Sequence, residues 1–168
     1  LDDPECQALE PNPGFVIGAQ EREAVPAMDN LTKLHTTLID TERGYEEAIK
    51  DAGESNLIPL LREMRDLHSR HHTELHYILL GMGVTPDDSG SFMSIVHKVV
   101  IDMRAAITGI DEKTLPSFID GEENIVDLYR DALQESQSEP TTVEILNRQK
   151  QALEEQISKM KVMQPTNV

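Results

Sequence analysis

The sequence predicts an all-α protein: an up-down four-helix bundle with an extra C-terminal helix and an irregular N-terminal arm. Three observations carry this. Apolar residues recur at steps of three and four in five separate segments, the mark of a helix with one buried face. Aromatic residues make up 4% of the chain and tryptophan is absent, a sparse supply of the side chains that favour strands. The 168 residues suffice for one domain with its own core, without a staple from disulfide or metal.

Residues 1–27 carry Pro4, Pro11, Pro13 and Pro26 with no sustained apolar period, and read as an arm. The bundle domain is assigned to 28–163. A first helix starts after Asp29 or Asn30, either of which can cap it, runs through Leu31, Leu34, Leu38, Tyr45 and Ile49, and stops at Gly53. A second spans about Asn56 to Gly81, with Pro59 in the first turn, where no backbone bond is lost. After "GMGVTPDDSGS", Ser91 caps a third helix that ends at Gly109. Thr114 caps a fourth and puts Pro116 at its second position, again tolerated. Thr141 and Glu144 have the spacing of a capping box for a fifth. This last helix is the shortest and most polar, so it is expected to lie across the bundle or in a dimer contact.

Fifteen basic residues against 31 acidic give a net charge of −16, which disfavours nucleic acid and anionic membrane as partners. The single cysteine, Cys6, allows no internal disulfide, so a reducing compartment is the default. No apolar run is long enough to cross a bilayer, and the first residues do not show the basic-then-apolar pattern of a secretory leader. There is neither a G-x-S-x-G elbow nor a phosphate-binding loop.

Four of the six histidines fall within "LHSRHHTELHY". A helix turns about 100° per residue, so the apolar stripe of each helix tells which polar residues share its face. His68 and His71 straddle the stripe of the second helix. Glu42 lies within that of the first, Asp102 within that of the third and Glu122 near the centre of that of the fourth. His35, His72, His76 and His97 fall at margins or on far sides and read as surface residues. An inward carboxylate is costly unless paired, protonated or bound to a cation. Two readings follow: Glu42 and Glu122 pair with the inward histidines, or Glu42, His68, His71, Asp102 and Glu122 together hold a metal ion.

The segments "TLIDTERGYEEAIKDA", "LLREMRDLHSRHHTEL", "HKVVIDMRAAITG" and "GEENIVDLYRDAL" resemble consecutive helices of a bacterial domain of unknown function among the ferritin-like four-helix bundles. The resemblance covers about 29–163. It implies a ferritin-like fold, the bacterial cytoplasm and pairing into homodimers, and supplies no reaction. Diiron members of that fold place Glu-x-x-His on two helices. Here Ile125 stands where the histidine after Glu122 would be, and His68-Ser69-Arg70-His71 replaces the other motif. The expected function is thus a non-catalytic binding or structural dimer. The alternative is a protein holding iron, zinc or manganese at the bundle centre.

Overall fold

A computed structural model describes residues 28–90 and 110–164. The N-terminal arm, the expected third helix, His97 and Asp102 lie outside the described residues. Among the described residues there are four α-helices: α1 (Asp29–Asp51), α2 (Ile58–Gly81), α3 (Leu115–Glu135) and α4 (Pro140–Met163), with a 3-10 turn at Glu112–Thr114 leading into α3. No strand occurs among the described residues.

The helices pack side by side, α1 on α2 and α3, and α4 on α3 and more loosely on α2. Their directions follow from which residues meet. His72 meets Glu42 and Tyr45 stacks on His68, so α1 and α2 run antiparallel. His68 meets Glu122 and His71 meets Tyr129, so α2 and α3 run parallel. Leu31, Leu34, Leu38, Leu61, Leu75 and Leu153 are among the side chains fully enclosed between them. Truncating any one of these to alanine costs about 2–5 kcal/mol.

The C-terminal helix corrects the sequence expectation. It is neither short nor laid across the bundle. At 24 residues it runs the length of α3, with Gln149 against Tyr129, Glu154 against Arg130 and Lys161 against Glu123 at successive levels. Its enclosed Leu146, Leu153, Ile157 and Met160 form a narrow stripe, and long polar side chains cover its flanks.

Helix ends also differ from expectation. Neither Asp29 nor Asn30 caps α1. The carboxylate of Glu135, at the far end of α3, accepts from the backbone N–H groups of Asn30 (3.0 Å) and Leu31 (3.0 Å). A negative group there also opposes the positive end of the helix dipole. The capping box of the last helix does not form: that helix begins at Pro140, which places Thr141 inside it. Asp111 caps the 3-10 turn by accepting from the Lys113 N–H, and Thr114 makes no side-chain cap to α3. The end of α2 is held as a Schellman motif, with Gly83 at φ +80° and Val84 N–H donating to the Leu79 carbonyl. That turn sends the chain back along α1 as the "TPDDSG" loop.

Candidate metal centre

The histidines of α2 fan out in three directions. His68 faces α1 and α3. Its Nε2 lies 3.1 Å from Glu122 Oε1, the oxygen that also accepts from the Tyr45 hydroxyl at 2.6 Å. His68, Tyr45 and Phe118 stack in sequence. Burial, and then the neighbouring Glu122, push the Tyr45 hydroxyl well above its usual range, so it stays a donor. Glu122 Oε2 and His68 Nδ1 are buried without a hydrogen-bond partner.

His71 faces α3 and α4. Gln149 donates through Nε2 to Glu74 (2.6 Å) and to the His71 carbonyl (3.3 Å), which leaves its Oε1 as acceptor from the Tyr129 hydroxyl (3.1 Å). The single hydroxyl proton is then used. The 2.9 Å contact between Tyr129 and His71 Nδ1 therefore needs the proton on Nδ1. Burial, and then the nearby His68, push the His71 ring down to about 3, so it is neutral. Glu74 is held below the usual carboxylate range: burial opposes this, and the hydrogen bonds from Arg148 and Gln149 outweigh it.

His72 and His76 face α1 and the loop after α2. His72 Nε2 lies 2.8 Å from Glu42 Oε2, and His76 Nδ1 lies 2.9 Å from Asp88 Oδ1. Between them sits His35 of α1, 0% exposed, its ring 6.0 Å from that of His72 and 5.7 Å from that of His76. Its Nε2 lies 3.7 Å from Asp88 Oδ1, too far for a hydrogen bond, and both its ring nitrogens lack a partner. Burial lowers the His35 ring, the Asp88 charge opposes this, and His72 and His76 reinforce it. Donor atoms of His35, His76 and Asp88 all lie within 4.8 Å of one another. Donors bound at roughly 2.0–2.2 Å to one tetrahedral ion sit about 3.3–3.6 Å apart, and Asp88 Oδ1 lies 3.7 Å from His35 Nε2 and 2.9 Å from His76 Nδ1, on either side of that range. Arg43 of α1 steadies the loop by donating to the backbone carbonyls of Ser89 and Asp88. An open cleft of about 420 Å³, lined by Glu42, Arg43, His72, His76 and Asp88, leads in from solvent.

The residues singled out from sequence are thus divided. His68 and Glu122 meet. His71 turns to Tyr129 and Gln149, and Glu42 pairs with His72. Asp102 lies outside the described residues. His35, read as a surface residue, is buried, while His72 and His76 are partly so. Asp88 was passed over within a turn. Two signals pointed to this seam: the four-residue spacing of His72 and His76, which puts both rings on one side of a helix, and His35 one position after the enclosed Leu34.

A family model, Domain of unknown function (DUF2383), matches residues 26–135. The chain belongs to this family. Comparison with curated proteins and with solved structures gave no match. The DUF2383 match takes in α1, α2, the "TPDDSG" loop and α3, and so every residue of the seam cluster. It ends with Glu135, so α4 and the Gln149 that orients Tyr129 lie beyond it.

Proposed function

We propose that this DUF2383 protein is a metal-binding helical bundle that holds one divalent first-row transition ion between His35, His76 and Asp88. The observation that carries the reading is His35. A neutral imidazole enclosed with neither nitrogen bonded is a costly arrangement, and an ion on Nε2 satisfies that atom with a bond it otherwise lacks. Neutral imidazole is also the form that binds metal, and burial keeps His35 in it. Two imidazoles and a carboxylate suit zinc or iron(II) better than magnesium or calcium, which favour all-oxygen shells. Arg43 and the open cleft supply a steadied ligand loop and an entry path. The ferritin-like ancestry, the homodimer and the bacterial cytoplasm that the resemblance implies belong to this same reading. The role is binding, with the ion at the α1–α2 seam and not on the Glu-x-x-His positions of a diiron centre.

The bundle-centre alternative rests on Glu122 Oε2 and His68 Nδ1, both buried and unpartnered. Zinc titration by calorimetry separates the two sites. At the seam, the wild type takes up one ion, His35→Ala and Asp88→Asn lose stoichiometric binding, and Glu122→Gln keeps it. Loss in Glu122→Gln with binding intact in His35→Ala would move the site to the bundle centre. A wild type that stays empty would end the metal reading.

A further inference from the structure

Beside the three converging donors stands a fourth histidine already prepared in the manner of a ligand. A metal-binding imidazole commonly donates its second ring N–H to a carboxylate, which fixes the tautomer and aims the free lone pair. His72 has this arrangement. Its Nε2 is 2.8 Å from Glu42 Oε2, and a carboxylate oxygen there accepts a proton carried on Nε2. A ring with its single proton on Nε2 has its lone pair on Nδ1, and His72 Nδ1 is buried with no hydrogen-bond partner among the described residues. The ring sits 6.0 Å from His35 and one helical turn before His76, on the wall of the cleft that also exposes Asp88. His72 is not one of the three residues whose donors already lie within 4.8 Å of one another, so its approach to the ion needs a side-chain adjustment.

We propose that His72 is the fourth ligand of the seam ion, through Nδ1, and that Glu42 is the outer carboxylate that orients it. This rests on the metal reading above and deepens it. The set becomes three imidazoles and one carboxylate. With all four tetrahedral positions filled by protein, the site is closed, as in centres that retain an ion and unlike those that leave a position open for water or substrate. Three nitrogen donors also tilt selectivity toward zinc and cobalt and away from manganese. Glu42 acts through His72 and is a positioning residue.

The test uses cobalt(II) as a visible probe and zinc as competitor, on full-length protein checked for folding by circular dichroism. The wild type is expected to take one cobalt ion with the intense visible absorption of four-coordinate cobalt. His72→Ala should still bind, at least tenfold more weakly, with the weak bands of higher coordination as water fills the gap. Glu42→Gln retains an acceptor for Nε2–H and loses the charge, so it should keep the four-coordinate spectrum with affinity reduced about 10–100-fold. In nitrogen-15 spectra, zinc should move the His72 Nδ1 resonance and leave a proton on Nε2, a response that a packing role would not give. If the wild type binds cobalt while His72→Ala and Glu42→Gln keep its affinity and spectrum, His72 is no ligand and the three-residue site stands alone. If the wild type binds no cobalt, or His35→Ala binds it unchanged, both readings fall.

Discussion

Replacing Tyr129 by phenylalanine removes one oxygen from a buried polar network and leaves the packing volume almost unchanged. Tyr129 is 0% exposed. Without its hydroxyl, Gln149 Oε1 loses its donor and the His71 Nδ1–H loses its acceptor, while Gln149 stays anchored by its bonds to Glu74 and the His71 carbonyl. Two orphaned buried groups cost about 1–3 kcal/mol each, and relief of the hydroxyl's own desolvation returns about 1–3 kcal/mol, so the net loss is about 1–3 kcal/mol. Urea unfolding at neutral pH with chelator present reads this as a lower midpoint at unchanged slope. A cycle with Gln149→Ala should show coupling of about 0.5–2 kcal/mol, because the second change removes one of the groups that the first orphans. Nitrogen-15 spectra of the wild type should find His71 protonated on Nδ1. A Tyr129→Phe variant within about 0.5 kcal/mol of wild type, or additive behaviour in the cycle, would refute the network as described.

Two further outcomes concern stability. His71 is pushed down to about 3 from 6.5, so the unfolded chain binds its proton first. Its contribution is complete above pH 6.5 and is lost as pH falls toward 3, by at most about 5 kcal/mol in total and about 1.4 kcal/mol per pH unit. Urea midpoints of metal-free protein between pH 7 and 4.5 should fall more steeply for wild type than for His71→Asn, which can still donate to Tyr129; equal slopes would exclude the effect. Glu135→Ala should cost about 1–2 kcal/mol by removing the cap of α1, and Glu135→Gln should recover part of it. Hydrogen exchange at Asn30 and Leu31 should speed up in the alanine variant, and unchanged exchange would deny Glu135 that role.

The helical periods were legible because they are local. Leu31, Leu34 and Leu38 on one helix, and Leu146, Leu153, Ile157 and Met160 on another, announce a buried face without reference to any partner. Helix ends were less legible, because their caps are not always local. Asp29 had the right chemistry beside α1, yet the groups at its start are satisfied from Glu135, over a hundred residues away in sequence. The placement of α4 was hard to read for a related reason: a polar-flanked helix looks peripheral, but Gln149 spends its polarity on the buried Tyr129, and Arg148 pairs with Glu74 of α2 on the surface above it.

The seam proposed as the metal site was hard to see in the sequence for a geometric reason. Each helix was assigned one inward direction, the centre of its apolar stripe. A bundle helix has two neighbours, and the seams with them lie at the stripe's flanks. On α2, His71 and His76 are separated by about 140° around the axis, and both reach other elements: His71 meets Tyr129 and Gln149 across one seam, and His76 meets His35 and Asp88 across the other. His68, nearest the centre, meets Glu122 through Nε2 and stacks on the Tyr45 ring. The bundle centre thus pairs His68 Nε2 and the Tyr45 hydroxyl with Glu122 Oε1, and leaves Glu122 Oε2 and His68 Nδ1 unpartnered among the described residues. Among the described residues of the α1–α2 seam, three histidines face two carboxylates at pairing distance. Asp88 and Glu42 take one partner each, His76 and His72, and His35 is left enclosed with nothing to bond. A cluster of three imidazoles beside two carboxylates, open to solvent on one side and holding the unpartnered His35, offers the proposed cation more unfilled donor atoms than the deeper site, where His68 Nε2 already faces Glu122.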